Sequence, residues 1–372
     1  MKRARHFASD NNAGICPEAW AALEEANHGH ASGYGEDPWT KKACRLICDL
    51  FETDCEVFFV FTGSAANALG LASVCRSYHS IICHEASHVQ NDECGGPEFF
   101  TGGAKVRPLP GKNGRLTPES IAAAAAGRTD LHFPKSGALS LTQSTELGTV
   151  YSPAQLKAIC RTAKKSGLKI HMDGARFANA VASLGVAPMD ITWKVGVDML
   201  SFGLTKNGTH AGEALIFFDQ SLAREFDWQN KQAGQLASKM RFLAAPWVGL
   251  LRDGAWLRHA THANKMARRL RRALAKIPGI KFLHPTQANA VFVDLPPVLV
   301  DALHKRGWHF YTLYSDNDAR LMCSWDTTPE DVDAFAADLA ELLANRKNLR
   351  SKTRKGRGRQ LNWKTDLPAG SN

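Results

Sequence analysis

No apolar run in this chain reaches the roughly 20 residues that a membrane helix needs, and no early segment joins a basic start to an apolar stretch and a small-residue cleavage site. The expectation is therefore a cytoplasmic globular protein. Paired cysteines are also missing. Nine cysteines (16, 44, 48, 55, 75, 83, 94, 160 and 323) are scattered without the C-x-x-C spacing of a zinc site or redox dithiol. Cys44 and Cys48 stand at i and i+4, but no second pair or nearby His completes a metal set, so the thiols read as reduced and no metal is expected. Acidic residues are outnumbered, 36 against 46 Lys and Arg, giving a net charge of +10. That excess has an address: residues 344–372 hold nine Lys/Arg and one Asp, a balance of +8, which leaves +2 for residues 1–343. The terminal stretch lacks apolar periodicity and reads as a disordered tail, either solvated or packed locally on an oligomer, or binding nucleic acid such as RNA, or another anionic surface, nonspecifically.

What is present is enough to build a core. At 372 residues and 44% hydrophobic content, the chain is long enough for one large and one smaller domain. Apolar runs bounded by Gly or Pro alternate with helical patterns between about residues 55 and 220, the form of an α/β domain on a mostly parallel sheet. Strands are expected at Glu56–Phe61, Ser80–Cys83, Lys105–Leu109, Ala138–Gln143, Leu168–Asp173, Val197–Ser201 and Leu215–Phe218. Helices are expected at Ala65–Arg76, Thr117–Ala126 and Pro153–Lys165. A long helix after Gly254 ends near Ala275, where Ile277-Pro278-Gly279 stops it. A small α+β domain should follow, with strands Lys281–Leu283, Ala290–Asp294, His309–Leu313 and Arg320–Ser324 and helices Val298–Arg306 and Pro329–Leu343. The expected division is an arm at 1–30, a large domain at 31–253, the linking helix and small domain at 254–343, and the tail at 344–372.

Three segments carry chemistry. In Lys169-Ile170-His171-Met172-Asp173-Gly174-Ala175-Arg176 an Asp sits at the carboxyl end of a strand, where parallel sheets bind ligands. Asp173 can hold a heterocycle nitrogen protonated, or it can cap the following helix. Lys206 follows the strand Val197–Ser201 in a Gly-punctuated loop, and is either a surface charge or a Schiff-base nucleophile. Phe61-Thr62-Gly63-Ser64-Ala65-Ala66-Asn67 turns from strand to helix through Gly. Its free N–H groups and the Ser64 hydroxyl form a phosphate site, or Ser64 is the helix cap. Together the three read as anchors for a phosphate, a pyridine nitrogen and an aldehyde.

In that order, with His88 in Glu85-Ala86-Ser87-His88 between them, the motifs resemble the threonine aldolase family of fold-type I pyridoxal-phosphate enzymes, nearest to the low-specificity L-threonine and L-phenylserine aldolases. The resemblance covers most of residues 5–343. It implies an aspartate-aminotransferase-like large domain with a mostly parallel seven-stranded sheet and pyridoxal 5'-phosphate as cofactor. It implies that Gly63 and Ser64 hold the phosphate, His88 stacks on the ring, Asp173 pairs with its nitrogen, Arg176 approaches its phenolic oxygen, and Lys206 is the Schiff-base lysine. Ser9 and Arg320 match positions at the substrate carboxylate, and a guanidinium fork suits that group. Tyr34 and His132 match residues near the substrate side chain. The implied reaction cleaves threonine, allo-threonine or phenylserine to glycine and an aldehyde, with His88 or His132 as base. A β-eliminating lyase or an aminotransferase would share Lys206 and Asp173. A homodimer or homotetramer with shared sites is implied, with Lys239 or Arg241 reaching a neighbour's phosphate. One departure stands out. Where many relatives have Asn-Thr-His, this chain has Gln143-Ser144-Thr145-Glu146.

Overall fold

Strands such as Lys169–Gly174 and Met199–Phe202 are short and almost wholly buried, as strands covered by helices on both faces must be. The computed structural model describes residues 5–355 apart from 129 and 314. Its main sheet has seven strands: β1 (Glu56–Val60), β2 (His79–His84), β3 (Lys105–Leu109), β4 (Lys135–Thr142), β5 (Lys169–Gly174), β6 (Met199–Phe202) and β7 (Glu213–Phe217). Their spatial order is β1-β7-β6-β5-β4-β2-β3. The run from β6 to β3 is parallel, and β7 is antiparallel to both of its neighbours. The carboxyl ends of β1, β5 and β6 therefore open on the same edge, where a crevice forms.

The expected mostly parallel seven-stranded sheet is what the chain forms. The helix after β1 starts at Gly63 rather than Ala65, because the Thr62 hydroxyl accepts the Ala65 N–H at 3.1 Å and caps it. Ser64 is thus not the cap. That frees its hydroxyl, together with the Gly63 and Ser64 N–H groups that the first turn cannot use.

The small domain carries an antiparallel sheet in the order Tyr311–Thr312, Asp318–Met322, Ala290–Asp294, Lys281–Phe282. The single strand expected over His309–Leu313 is split: Trp308–His309 pairs in parallel with Arg5–His6 instead. The amino-terminal segment is consequently stitched into the small domain. Phe7 is buried there, 5.7 Å from Trp308 and 5.4 Å from Phe335 by ring centroids. The long helix Ala255–Ala275 joins the two cores, placing Trp256 and Ala260 in one and Leu270 and Leu274 in the other.

The last helix, Pro329–Lys355, continues past Leu343 into residues expected to be disordered. No Gly or Pro interrupts the chain between Pro329 and Gly356, so nothing local stops it. The rest of the basic tail, 356–372, lies outside the described residues. Among the described residues no helix is long and apolar enough to cross a membrane.

Candidate active site

Two adjoining cavities open at the strand ends, one of about 280 Å³ and one of about 570 Å³, and Asn11, His88 and Lys206 line both. The smaller is framed by the turn after β1 (Thr62, Gly63, Ser64), by Asp173 of β5, and by the loop after β6 (Gly203, Thr205, Lys206). The loops after β5 and β6 touch: a Cβ on Gly203 would lie 2.9 Å from the Ala175 Cα, so only glycine permits the approach that brings Lys206 toward Asp173.

The lysine loop is pinned at several points. Buried Glu213 accepts the Leu204 N–H at 2.8 Å, Asn207 Nδ2 donates to the Trp256 carbonyl at 2.7 Å, and the Gly208 carbonyl accepts the Cys16 N–H at 2.8 Å. Burial pushes the Glu213 carboxyl up. Beside Gly208, Cys16, Glu18 and His259 bring three potential ligand atoms within 4.8 Å of one another, but Glu18 is already held by His259 Nε2 at 2.9 Å and by Arg258.

Asp173 is buried, with one oxygen accepting the Ala175 N–H at 3.0 Å and the other accepting Asn67 Nδ2 at 3.0 Å. Asp173 is therefore not the cap of the following helix, which starts at Phe177 with Arg176 at its N-cap position and no side-chain cap; it steadies only the turn at Ala175 and presents its carboxylate to the cavity. Asn67 Nδ2 also donates to Glu93 Oε1 at 2.7 Å, and the same oxygen lies 3.0 Å from His88 Nδ1. Burial pushes the Glu93 carboxyl up, while the bond to Glu93 holds the His88 imidazole above its ordinary value against its own burial. Below this row His171 bridges the Ser140 and Ser201 hydroxyls at 3.0 and 2.9 Å, and complete burial pushes it down to about 4, leaving it neutral.

The larger cavity is assembled from distant pieces: Ser9 and Asn12, then Asn91, Asp92 and Glu146, then Arg176, then Tyr311, Leu313 and Arg320. Arg176 is bound through both Nε and Nη2 to Asp10, at 2.7 and 2.8 Å, with both side chains almost fully buried. Burial alone would raise Asp10, but the guanidinium overcomes it and holds the carboxyl below the usual range. Asn289 Nδ2 donates to the same carboxylate at 3.0 Å, so Asp10 ties the amino-terminal segment to both domains. Arg320 Nη2 donates to the Ala8 carbonyl at 3.2 Å, which sets its head beside Ser9.

Of the residues expected from sequence, Gly63, Ser64, His88, Asp173 and Lys206 meet in the first cavity, and Ser9, His88, Arg176, Lys206 and Arg320 in the second. Tyr34 and His132 line neither; both are exposed, Tyr34 with Lys231 over its ring at 4.8 Å and His132 on a loop anchored by Asp130. Lys239 and Arg241 also stand apart, the latter donating to the Gly29 carbonyl. Sequence reasoning missed Asp10, Asn67, Glu93 and Glu213. Asn67 lies at the end of the Phe61–Asn67 turn and Asp10 directly follows Ser9; for Asn67, a polar residue among apolar ones was the available signal.

The profile of the family described as "Beta-eliminating lyase" matches residues 6–296. The low specificity L-threonine aldolase of a Pseudomonas species is 55% identical over 342 residues, covering 92% of this chain and 99% of that protein. That of Pseudomonas aeruginosa is 56% identical over 335 residues, 90% and 97% of the two chains. Among solved structures, the threonine aldolase of Leishmania major superposes with a TM-score of 0.86 at 29% identity, covering 91% of this chain and 99% of that one.

Proposed function

We propose the reaction on one premise: the chain belongs to the beta-eliminating lyase family and, within it, to the low-specificity L-threonine aldolases. It is a pyridoxal-phosphate-dependent lyase that cleaves threonine-type β-hydroxy-α-amino acids to glycine and an aldehyde. The observation that carries the residue assignments is the convergence of a free helix start, a buried carboxylate, an imidazole and a lysine on one cavity of about 280 Å³. That donor set fits the cofactor's phosphate, ring nitrogen, ring face and aldehyde.

When bound, pyridoxal phosphate supplies an electron sink for the pair released from the Cα–Cβ bond. The chain's residues do the rest. Gly63 and Ser64 would hold the phosphate, Asp173 would keep the ring nitrogen protonated, Lys206 would hold the aldehyde carbon, and His88 would cover the ring. Arg176, fixed by Asp10, would serve the phenolic oxygen and the substrate. Arg320 and Ser9 would take the substrate carboxylate, and this clamp would orient the Cα–Cβ bond for cleavage. His88 then accepts the β-hydroxyl proton: Nδ1 is committed to Glu93, so Nε2 is the basic atom.

The substrate range we assign is threonine, allo-threonine and phenylserine. Supplying holoenzyme with L-threonine or L-phenylserine should release glycine and the matching aldehyde in equal amounts. Ammonia with a keto acid would overturn the reading in favour of β-elimination. We also assign a cytoplasmic location and a homodimer or homotetramer with shared sites, in which Tyr34, His132 and Lys239 or Arg241 serve a neighbour. Supporting this are the full exposure of Leu131 beside His132 and the exposed Trp228 and Phe99; light scattering showing a monomer would remove it.

A further inference from the structure

The larger cavity holds two carboxylates that the cleavage chemistry does not use. Glu146 and Asp92 both line it, and neither carboxylate makes a hydrogen bond or ion pair among the described residues. Glu146 is half-buried, on the loop that follows β4, in the segment Gln143-Ser144-Thr145-Glu146 that departs from the Asn-Thr-His of many members of the resembled family.

We propose that Glu146, seconded by Asp92, sets the side-chain preference of the enzyme, admitting β-hydroxy-α-amino acids with a neutral or cationic β-substituent and excluding those with an anionic one. The inference rests on the aldolase reading above and follows from matching charges. The cavity is lined by four groups that carry or can carry positive charge: Arg176, Arg320, Lys206 and His88. Arg176 is already neutralised by the bidentate Asp10, and His88 is paired with Glu93. In the aldolase reading, Arg320 would be neutralised by the substrate α-carboxylate, and Lys206, which also lines the smaller cavity, would serve the cofactor. The two carboxylates are then what a substrate's β-substituent meets.

Glu146 is near enough to the reacting region for its charge to support the protonated forms of both His88 and Arg176. A second carboxylate brought into a partly desolvated space with it is repelled more strongly than in water. A methyl or aryl group has no such conflict and finds apolar surface on Tyr311 and Leu313 in the same cavity. In the third case, a cationic substituent, the pairing is attractive.

The test compares holoenzyme with Glu146→Gln, which keeps the shape and removes the charge, and with Glu146→Ala. One arm measures glycine release from L-threonine and from L-threo-3-hydroxyaspartate, which would yield glyoxylate. The other measures, by the cofactor's absorbance, the binding of L-alanine and L-aspartate, which lack the hydroxyl and cannot be cleaved. In E146Q the ratio of kcat/KM for 3-hydroxyaspartate over threonine should rise by about tenfold or more, mainly through KM, as removal of a nearby like charge predicts. L-aspartate should tighten relative to L-alanine by a similar factor, and the native preference for L-alanine should weaken in high salt. Equal changes for both members of each pair, or a native enzyme that handles 3-hydroxyaspartate as well as threonine, would overturn the proposal. If no substrate releases an aldehyde while the alanine–aspartate contrast still depends on Glu146, the aldolase reading fails and the charge filter stands.

Discussion

The two cavities of this enzyme are built on different principles. The smaller is made mostly by turns at the strand ends of one sheet, some set by contacts a few residues away, such as Thr62 capping the Gly63 helix or Glu213 pinning the Lys206 loop, and reinforced from farther along the chain by Asn67 and Trp256. The larger takes Ser9 from the amino-terminal segment, Glu146 and Arg176 from the large domain, and Arg320 from the small domain, so its geometry depends on how two cores are fastened together. In the proposed assignment, the chemistry common to pyridoxal enzymes falls to the smaller cavity and selection among substrates to the place where distant pieces meet, with Asn11, His88 and Lys206 shared by the two.

The largest effect should come from the smaller cavity. Lys206→Ala should lose all turnover and the visible absorbance of the bound cofactor, while unfolding at nearly the native temperature, since the lysine head faces a cavity. Retention of the absorbance would break the assignment of the first cavity. Next in size is the fastening of the second. Asp10→Asn leaves the buried Arg176 charge without its counterpart, at a cost of about 3–5 kcal/mol by comparison with other broken buried pairs. Denaturant unfolding would show the loss. Because the native-state pKa of Asp10 is depressed, its stabilisation is complete above the unfolded value near 3.8 and disappears as acid titrates the carboxyl below that. The variant should lose that component of the acid dependence.

The same contrast explains what could be read from the sequence. Strands β1 to β7 were legible because each is a compact stretch with an apolar centre between turn residues, and Asp173, Ser64 and Lys206 were legible because each lies at or just past a strand end. Helix starts were harder: Thr62 and Ser64 are both good caps, and only the observed hydrogen bond decides between them. Asp10 was passed over beside Ser9, because its partner lies 166 residues away and no local pattern announces it. Glu93 was invisible for a similar reason, as its role comes from burial and from Asn67 and His88, not from spacing. Arg320 entered through family resemblance alone, and His132 and Tyr34, which entered the same way, do not line the cavities of their own chain.

Arg320→Lys sharpens the comparison from the substrate side. A lysine keeps the charge but loses the planar fork, and forfeiting one charge-assisted hydrogen bond of about 1.5–3 kcal/mol predicts a tenfold to hundredfold fall in kcat/KM for threonine. Cofactor affinity should stay at the native value, because Arg320 lines only the larger cavity. A parallel loss of cofactor would mean that the two cavities are not separable.

The smallest effect, and the one that joins the two regions, concerns His88, which lines both. As a base it must be neutral, and its bond to Glu93 holds it above its ordinary value of 6.5, so the acidic limb of kcat/KM against pH should lie above that point. Glu93→Gln keeps the bulk but removes the negative charge that favours the imidazolium. The His88 pKa should fall, the neutral imidazole should persist into more acidic solution, and the limb should move to lower pH. An unmoved limb with a reduced plateau would assign the proton transfer to another group and leave His88 only the face of the ring.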